Sequence, residues 1–508
     1  MCADRAKSEL VVVYHRQPYE QVLVDGEWIR RDNKSPNGIV PTLKSFMGRD
    51  GTGAWVAWEQ VDDEDERARF ERVIEIEDGY GRYRVSRLPL TGDQVRSFYH
   101  VTSKEAIWPI LHSFKERYNY DPVDWPTFRE VNWAFAEAAA AEVKDDGVVW
   151  FHDYNLWLAP GYLRKLKPDV RIAFFHHTPF PSADMFSVLP WRQEIVESLL
   201  ACDAVGFHIP RYAANFAHAA HALCGARVTE EQPTGEDFSP QGMALSEMNT
   251  PTAMEHKGRR VMLSAFPVGV DFDHVQSVAR SEETAERVRA IREELGDARL
   301  ILSVSRTDYT KGNVEMLLTY ERLLERRPEL RGKVRLMLVS VPANRNMAVY
   351  EEVQRQIEEI AGRVNGRFGR LDWQPVSLIS RAIPFKQLIA YHQAADVCWI
   401  APLCDGLNLV AQEYVAARTD GLGALVLSEF AGAAIPLAAT VAVNPFSNRS
   451  MDAAIDHALD MGQDEQRQRM QVLRDRVRRY DIRAWMAEQH RLFATMGRAA
   501  PSEPADAA

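Results

Sequence analysis

The segment Leu300-Ile301-Leu302-Ser303-Val304-Ser305-Arg306-Thr307-Asp308-Tyr309-Thr310-Lys311-Gly312 opens on an apolar run and closes on a polar loop. The run reads as a strand buried on both faces. Beyond the loop, Met316, Leu317, Tyr320, Leu323 and Leu324 fall at helical spacing, and Pro328 marks the helix end. Strand, loop and helix in that order form the unit of a doubly wound α/β sheet. Arg306 and Lys311 stand five residues apart between the strand and the helix. A guanidinium grips two phosphate oxygens in a fork, and an ammonium adds a point charge. Together they suit a diphosphate whose charge grows as a bond to it breaks. A solvated Arg and Lys in a polar loop is the competing reading.

A second segment, Asp405-Gly406-Leu407-Asn408-Leu409-Val410-Ala411-Gln412-Glu413, follows the apolar run 397–402. It therefore lies at the carboxyl edge of a strand, where open α/β sheets bind ligands. Gly406 lets backbone approach a phosphate, and the next helix N-terminus favours an anion. Asp405 suits sugar hydroxyls, and Glu413, about two helical turns on, suits a ribose diol. An N-capping aspartate and an exposed helical glutamate are the plainer alternative. The two segments together point to an enzyme acting on a nucleotide sugar.

The same grammar recurs along the chain. Apolar runs at 10–14, 147–151, 170–175, 204–207 and 261–267 form one set. Runs at 300–305, 334–341, 397–402, 424–427 and 440–443 form another. The expected fold class is α/β with two doubly wound domains. Residues 1–270 form the first domain and residues 271–482 the second. A helix at about 483–498 follows, and the tail 499–508 is too rich in Ala, Pro and acid to order. Residues 229–258, rich in Glu, Pro, Gly, Ser and Thr, read as a long surface loop of the first domain.

Composition excludes several functions. The 508 residues are 46% hydrophobic with a net charge of -11, which disfavours nucleic acid and anionic lipid as partners. No apolar stretch reaches the roughly 18 residues of a membrane span. Five cysteines, an odd number with no C-x-x-C, fit reduced thiols and a cytoplasmic location. The N-terminus is too charged for a signal peptide. Assembly of identical copies stays open.

In the first half, Phe151-His152-Asp153-Tyr154-Asn155 and Phe175-His176-His177-Thr178-Pro179 each follow a strand. Two strands of one sheet deliver polar residues to one edge. No helical ligand spacing supports a metal, and none is expected. Tyr14-His15-Arg16 ends the first strand, and Ser35-Pro36-Asn37-Gly38 forms a turn that suits phosphate. Trp55, Trp58 and Trp108 read as packing residues.

Read together, H-D-Y, H-x-P-F-P, L-P-W-R, R-x-D-Y-x-K-G and D-G-x-N-L-V-x-x-E resemble the retaining glycosyltransferase family of trehalose-phosphate synthases. The similarity runs from about Val11 to about Ala494. Within it, Tyr14-His15-Arg16, Lys34-Ser35-Pro36-Asn37-Gly38-Ile39, Pro41-Thr42-Leu43-Lys44-Ser45-Phe46 and Asn155 look most like the branch that glucosylates glycerol 3-phosphate. The resemblance implies a GT-B architecture, two Rossmann-like domains facing across a cleft, with the C-terminal helix packed back on the first. It implies transfer of glucose from ADP-glucose to sn-glycerol 3-phosphate, for osmoprotectant synthesis. ADP-glucose is a substrate, no cofactor is implied, and a separate phosphatase is expected to act on the product.

The resemblance also assigns residues. Arg306 and Lys311 would hold the donor diphosphate, and Asp405 with the backbone of Gly406, Leu407 and Asn408 the glucose. Leu409 and Val410 would lie beside the phosphates, Glu413 at the ribose and Gly38 in the loop over the donor. His177 and Asp153 would stand at the reaction centre. Arg16, Tyr99 and Arg345 would hold the acceptor, and Tyr154, Trp58 and Trp108 match further pocket positions. The chain departs from the trehalose-phosphate synthases mainly on the acceptor side and in the donor loop. Tyr14-His15 stands for Ser-Asn, Pro36-Asn37-Gly38 for a Gly-Gly turn and Asn155 for His. On the donor side, Leu407 replaces a Met and Gln412 a Lys. The acceptor-side changes fit a smaller acceptor.

Overall fold

The computed structural model describes residues 7–24, 27–32, 38–47, 53–342 and 347–496. Among the described residues, twelve strands come from the first half. They are β1 (Ser8–Val13), β2 (Tyr19–Val24), β3 (Glu27–Asp32), β4 (Gly53–Gln60), β5 (Val73–Asp78) and β6 (Gly81–Leu90). β7 (Val143–His152), β8 (Arg171–Phe175), β9 (Ala204–Phe207), β10 (Arg227–Pro233), β11 (Asn249–His256) and β12 (Arg259–Ala265) follow. The second half supplies β13 (Arg299–Thr307), β14 (Val334–Pro342), β15 (Val376–Ile379), β16 (Val397–Ile400), β17 (Ala424–Ser428) and β18 (Val441–Val443).

Among the described residues these make two large sheets, one ten-stranded and one six-stranded, with β2 and β3 as a separate ribbon. The order of the first is β10-β11-β12-β9-β8-β7-β1-β4-β6-β5, and of the second β15-β14-β13-β16-β17-β18. The second sheet is parallel throughout, and the centre of the first is parallel from β12 to β6. Continuous apolar strands demand cover on both faces, and they have it. Val11 and Val13 of β1 enter one core while Val12 enters the other. Ile301 and Leu302 of β13 divide in the same way.

The apolar runs at 147–151, 204–207, 300–305 and 424–427 all fall inside strands. The expectation of a surface loop at 229–258 does not hold. β10 and β11 pair antiparallel there and extend the sheet beyond β12. β10 is exposed along its whole length, so it carries no apolar alternation to announce it. β6 also lacks an apolar run, because Arg82, Arg84 and Arg87 interrupt it. Each is paired with a carboxylate, of Glu75, Glu142 and Glu59.

The last helix, Ile482–Thr495, lies against the first sheet. Trp485 is fully buried, its ring centroid 5.4 Å from Trp150, 5.3 Å from Phe175 and 5.5 Å from Phe46. Such aromatic contacts, largely edge to face, dominate packing energetics for their area. Residues 268–270 and 480–482 run side by side, with Ile482 N donating to Val270 O at 3.1 Å. Gln412 clamps the former segment, accepting from Val270 N at 3.2 Å and donating to Val268 O at 3.2 Å. The chain thus passes between the sheets twice at one place.

Candidate active site

The carboxyl ends of β13 and β16 form one side of a cleft. Past β13, Asp308 accepts hydrogen bonds from Thr310 N and Oγ1, both at 3.0 Å, and so winds the tight turn Tyr309–Lys311. Gly312 leaves it at φ 66°, and a Cβ there would strike the Ala401 carbonyl. This turn delivers Lys311 Nζ to Asp405 Oδ2 at 2.8 Å, a pair almost out of solvent. Asn408 donates to the same oxygen at 3.1 Å and caps the helix Leu409–Ala417 by accepting from Ala411 N at 3.0 Å. It does so at φ 99°, an uncommon conformation for a residue with a Cβ. Burial alone would raise the Asp405 carboxyl, but Lys311 and Asn408 more than offset it and hold it below the usual range.

The opposite side comes from the carboxyl ends of β1, β7 and β8. Asp153 leaves β7 at φ 69° and ψ 162°, a region that only glycine enters freely. It is held there by its N–H donating to Phe175 O at 3.0 Å and by its own Oδ1 accepting from Tyr154 N at 3.1 Å. Burial pushes its carboxyl up to about 6, against the pull of Tyr154 N–H and Lys104. His152 Nδ1 and His177 Nε2 share a hydrogen bond of 3.1 Å. Burial, with His152 and His208 beside it, drives His177 well below the ordinary imidazole value, so it is neutral at neutral pH. Arg16 Nη2 donates to Tyr99 Oη at 3.3 Å, and Trp55 Nε1 pins the Arg16 carbonyl at 2.9 Å.

Between the sides lies a cavity of about 580 Å³. Arg306, Lys311, Asp405, Gly406, Leu407, Asn408, Leu409 and Val410 form its wall on one side. Gly38, Arg16, Tyr99, Trp108, Asp153, Tyr154 and His177 form it on the other. Trp108 is therefore a wall residue as well as a packed one. Two expected residues stand elsewhere. Trp58 lies behind Tyr99, ring centroids 6.4 Å apart. Glu413 is buried under the helix, 3.9 Å from His392 Nε2. Arg345 lies outside the described residues, as does the turn 35–37. Gly406 has a role that was not foreseen: a Cβ there would meet the His177 carbonyl across the cleft. Its bareness lets the two sides meet.

The wall also contains Lys104, His112 and His208, none of them expected from sequence. Asn155 and His15 line it too, and their buried side-chain polar atoms have no hydrogen-bond partner among the described residues. Inside a cavity, such groups can be satisfied by a ligand or by water. No group of three metal-ligating side chains occurs among the described residues. No helix among them is long and apolar enough to cross a membrane.

Two α/β sheets meeting across this cleft have the GT-B architecture, and the chain is a glycosyltransferase. Residues 8–495 match the model of Glycosyltransferase family 20, and the chain belongs to that family. A glucosylglycerol-phosphate synthase of Synechocystis sp. is 48% identical over 478 residues, 94% of this chain and 96% of that protein. One from Picosynechococcus sp. is 47% identical over 496 residues, 97% of this chain and 99% of that one. A solved α,α-trehalose-phosphate synthase (UDP-forming) from Burkholderia xenovorans, in complex with glucose-6-phosphate, superposes with a TM-score of 0.82 at 28% identity. That match covers 96% of this chain and 100% of that structure.

Proposed function

We propose that the protein transfers glucose from ADP-glucose to sn-glycerol 3-phosphate with retention, giving 2-O-(α-D-glucosyl)glycerol 3-phosphate and ADP. The supporting observation is the cavity itself. Arg306 and Lys311 face it from one sheet, and Arg16, Tyr99 and Asp153 from the other. The relatives named glucosylglycerol-phosphate synthase support the choice of acceptor.

In this reading Arg306 and Lys311 take up the charge of the departing diphosphate. Lys311 exchanges part of its bond with Asp405 for the phosphates, and Asp405 turns to glucose hydroxyls. Glu413, one helical turn beyond Leu409 and Val410, turns from His392 to receive the ribose. The acceptor hydroxyl attacks from the face the diphosphate leaves, and a phosphate oxygen takes its proton. His177, neutral, is a hydrogen-bond partner for glucose and not a proton donor of the imidazolium type. Asp153 orients the acceptor hydroxyl. Arg16, with Arg345, holds the acceptor phosphate, and the enzyme acts by placement and charge. The reaction belongs in the cytoplasm, with a separate phosphatase consuming the product.

A matrix of ADP-, UDP- and GDP-glucose against glycerol 3-phosphate, glucose 6-phosphate and glycerol, with product identification, tests this. Turnover is expected to be highest with ADP-glucose and glycerol 3-phosphate. Turnover with glucose 6-phosphate alone would replace the reading by trehalose-6-phosphate synthesis. Nucleotide binding without any transfer would make the protein a sugar-phosphate sensor.

A further inference from the structure

Tyr99 and Lys104 belong to a π-helical stretch, Arg96–Ile107, whose ladder is still visible where Trp108 N donates to Ser103 O. Residues five apart on an α-helix diverge by roughly 140°. In a π-helix the i to i+5 bonds stack them on one face. Tyr99 and Lys104 accordingly line the same cavity, with the Lys104 ammonium 5.7 Å from the Tyr99 ring. The ammonium also sits 3.9 Å from the centre of the Trp108 ring and 5.9 Å from that of Tyr154. It is buried, yet among the described residues its neighbours are these aromatic faces, with no hydrogen bond or ion pair. Cation–π contact offsets only part of the cost of burying a charge, which normally requires a counter-ion. Arg16, bonded to Tyr99, and Arg306, 5.9 Å from the Trp108 ring, add positive charge on either side. Asp153 and Glu20 are the carboxylates on the same side of the cavity wall, and Asp308 acts on Lys104 from the other side.

We propose that Lys104 is a phosphate ligand of the acceptor pocket, forming with Arg16 a two-cation clamp that selects phosphorylated acceptors. The proposal rests on the reading above that the acceptor is a phosphomonoester. The Trp108, Tyr99 and Tyr154 rings hold the ammonium in place, so it meets the phosphate already oriented. Burial lowers the Lys104 amine to about 8, so it stays mostly ammonium at neutral pH, and a bound dianion favours that form further.

The test is steady-state kinetics of the whole protein as wild type, Lys104→Met and Lys104→Arg, with ADP-glucose as donor. In Lys104→Met the KM for glycerol 3-phosphate is expected to rise about 10- to 100-fold, the loss of one charged hydrogen bond. Inhibition by inorganic phosphate should weaken in parallel. KM for ADP-glucose, ADP affinity by calorimetry and any transfer to unphosphorylated glycerol should stay within about twofold, and Lys104→Arg should recover most of the loss. An unchanged acceptor KM in Lys104→Met, with wild-type transfer intact, overturns the assignment of Lys104 and leaves the transfer reading standing. Loss of ADP affinity in both variants assigns Lys104 a structural role and overturns the proposal. Failure of the wild type to glucosylate any phosphorylated acceptor overturns both the proposal and the reading beneath it.

Discussion

The two sides of the cleft are built differently. The side from the second sheet is assembled from two short loops, each directly after its strand, and Lys311, Asp405 and Asn408 are already bonded to one another within it. The side from the first sheet draws on β1, β7, β8 and the π-helical stretch, and it leaves the His15 ring and the Asn155 amide without hydrogen-bond partners among the described residues. A self-satisfied constellation is rigid before its ligand arrives, and an unsatisfied one waits for the ligand to complete it. The first arrangement suits a part common to many donors, and the second a part that selects one acceptor.

The largest expected effect tests the donor side. Arg306→Ala should lower kcat about 100- to 1000-fold, the scale of losing one preorganised donor to developing charge. Its melting temperature should stay near wild type, because Arg306 ends a strand whose core residues are untouched. Activity within tenfold of wild type would remove Arg306 from the diphosphate site.

Lys311→Ala should do two things at once. It removes a phosphate ligand, and it strands Asp405 in a buried site without its cation. Breaking a buried pair from one end costs about 3 kcal/mol. Adding Asp405→Asn should return much of that stability, and denaturant unfolding of the two single variants and the double variant measures it. Activity should stay low in all three. Additive destabilisation would show that the pair is not a unit.

How far each side can be read from sequence follows the same division. Arg306, Lys311, Asp405 and Asn408 are legible because strand, loop and helix are consecutive and the loops are short. Asp153 and His177 are legible for the same reason, at the ends of β7 and β8. Lys104 and His112 are not, since a π-helical stretch breaks the 3.6-residue period by which facing residues are judged. Trp58 and Glu413 share elements with wall residues, but counting along an element does not say which neighbour turns a side chain away. For Glu413 that neighbour is His392 of another helix. β10 escapes because an edge strand exposed along its length has no pattern to read. Gly406 shows that an expected residue can have a second reason, the His177 carbonyl, that lies past the end of a distant strand.

On the acceptor side, Asp153 gives a sharper test through pH. Its carboxyl is pushed up to about 6 in the folded protein from an ordinary value of 3.8. Between those values the folded state binds the extra proton, so this group's contribution to stability falls as pH rises through the window. Asp153→Asn abolishes that fall. It should be more stable than wild type above pH 6, by at most about 3 kcal/mol, and no different below pH 4. Transfer should follow the opposite sign, rising with pH through about 6 in the wild type as the carboxylate forms. The variant should be roughly tenfold slower with a flat profile. A pH profile unaltered by the substitution would take Asp153 out of the reaction centre.

The smallest effect separates the wall from what stands behind it. Trp58 contacts Tyr99 and accepts from Gln17 Nε2 at 3.0 Å through its carbonyl, which any residue there would provide. Trp58→Phe keeps an aromatic face against Tyr99 and should change acceptor KM by about threefold or less, near the lower limit of what an aromatic contact contributes. Trp108→Phe, at a ring that lines the cavity, should change it more. If the two were equal, the position of Trp58 behind Tyr99 would not describe the liganded enzyme. The acceptor side would then close further on its substrate than the donor side, as expected of the half that the ligand completes.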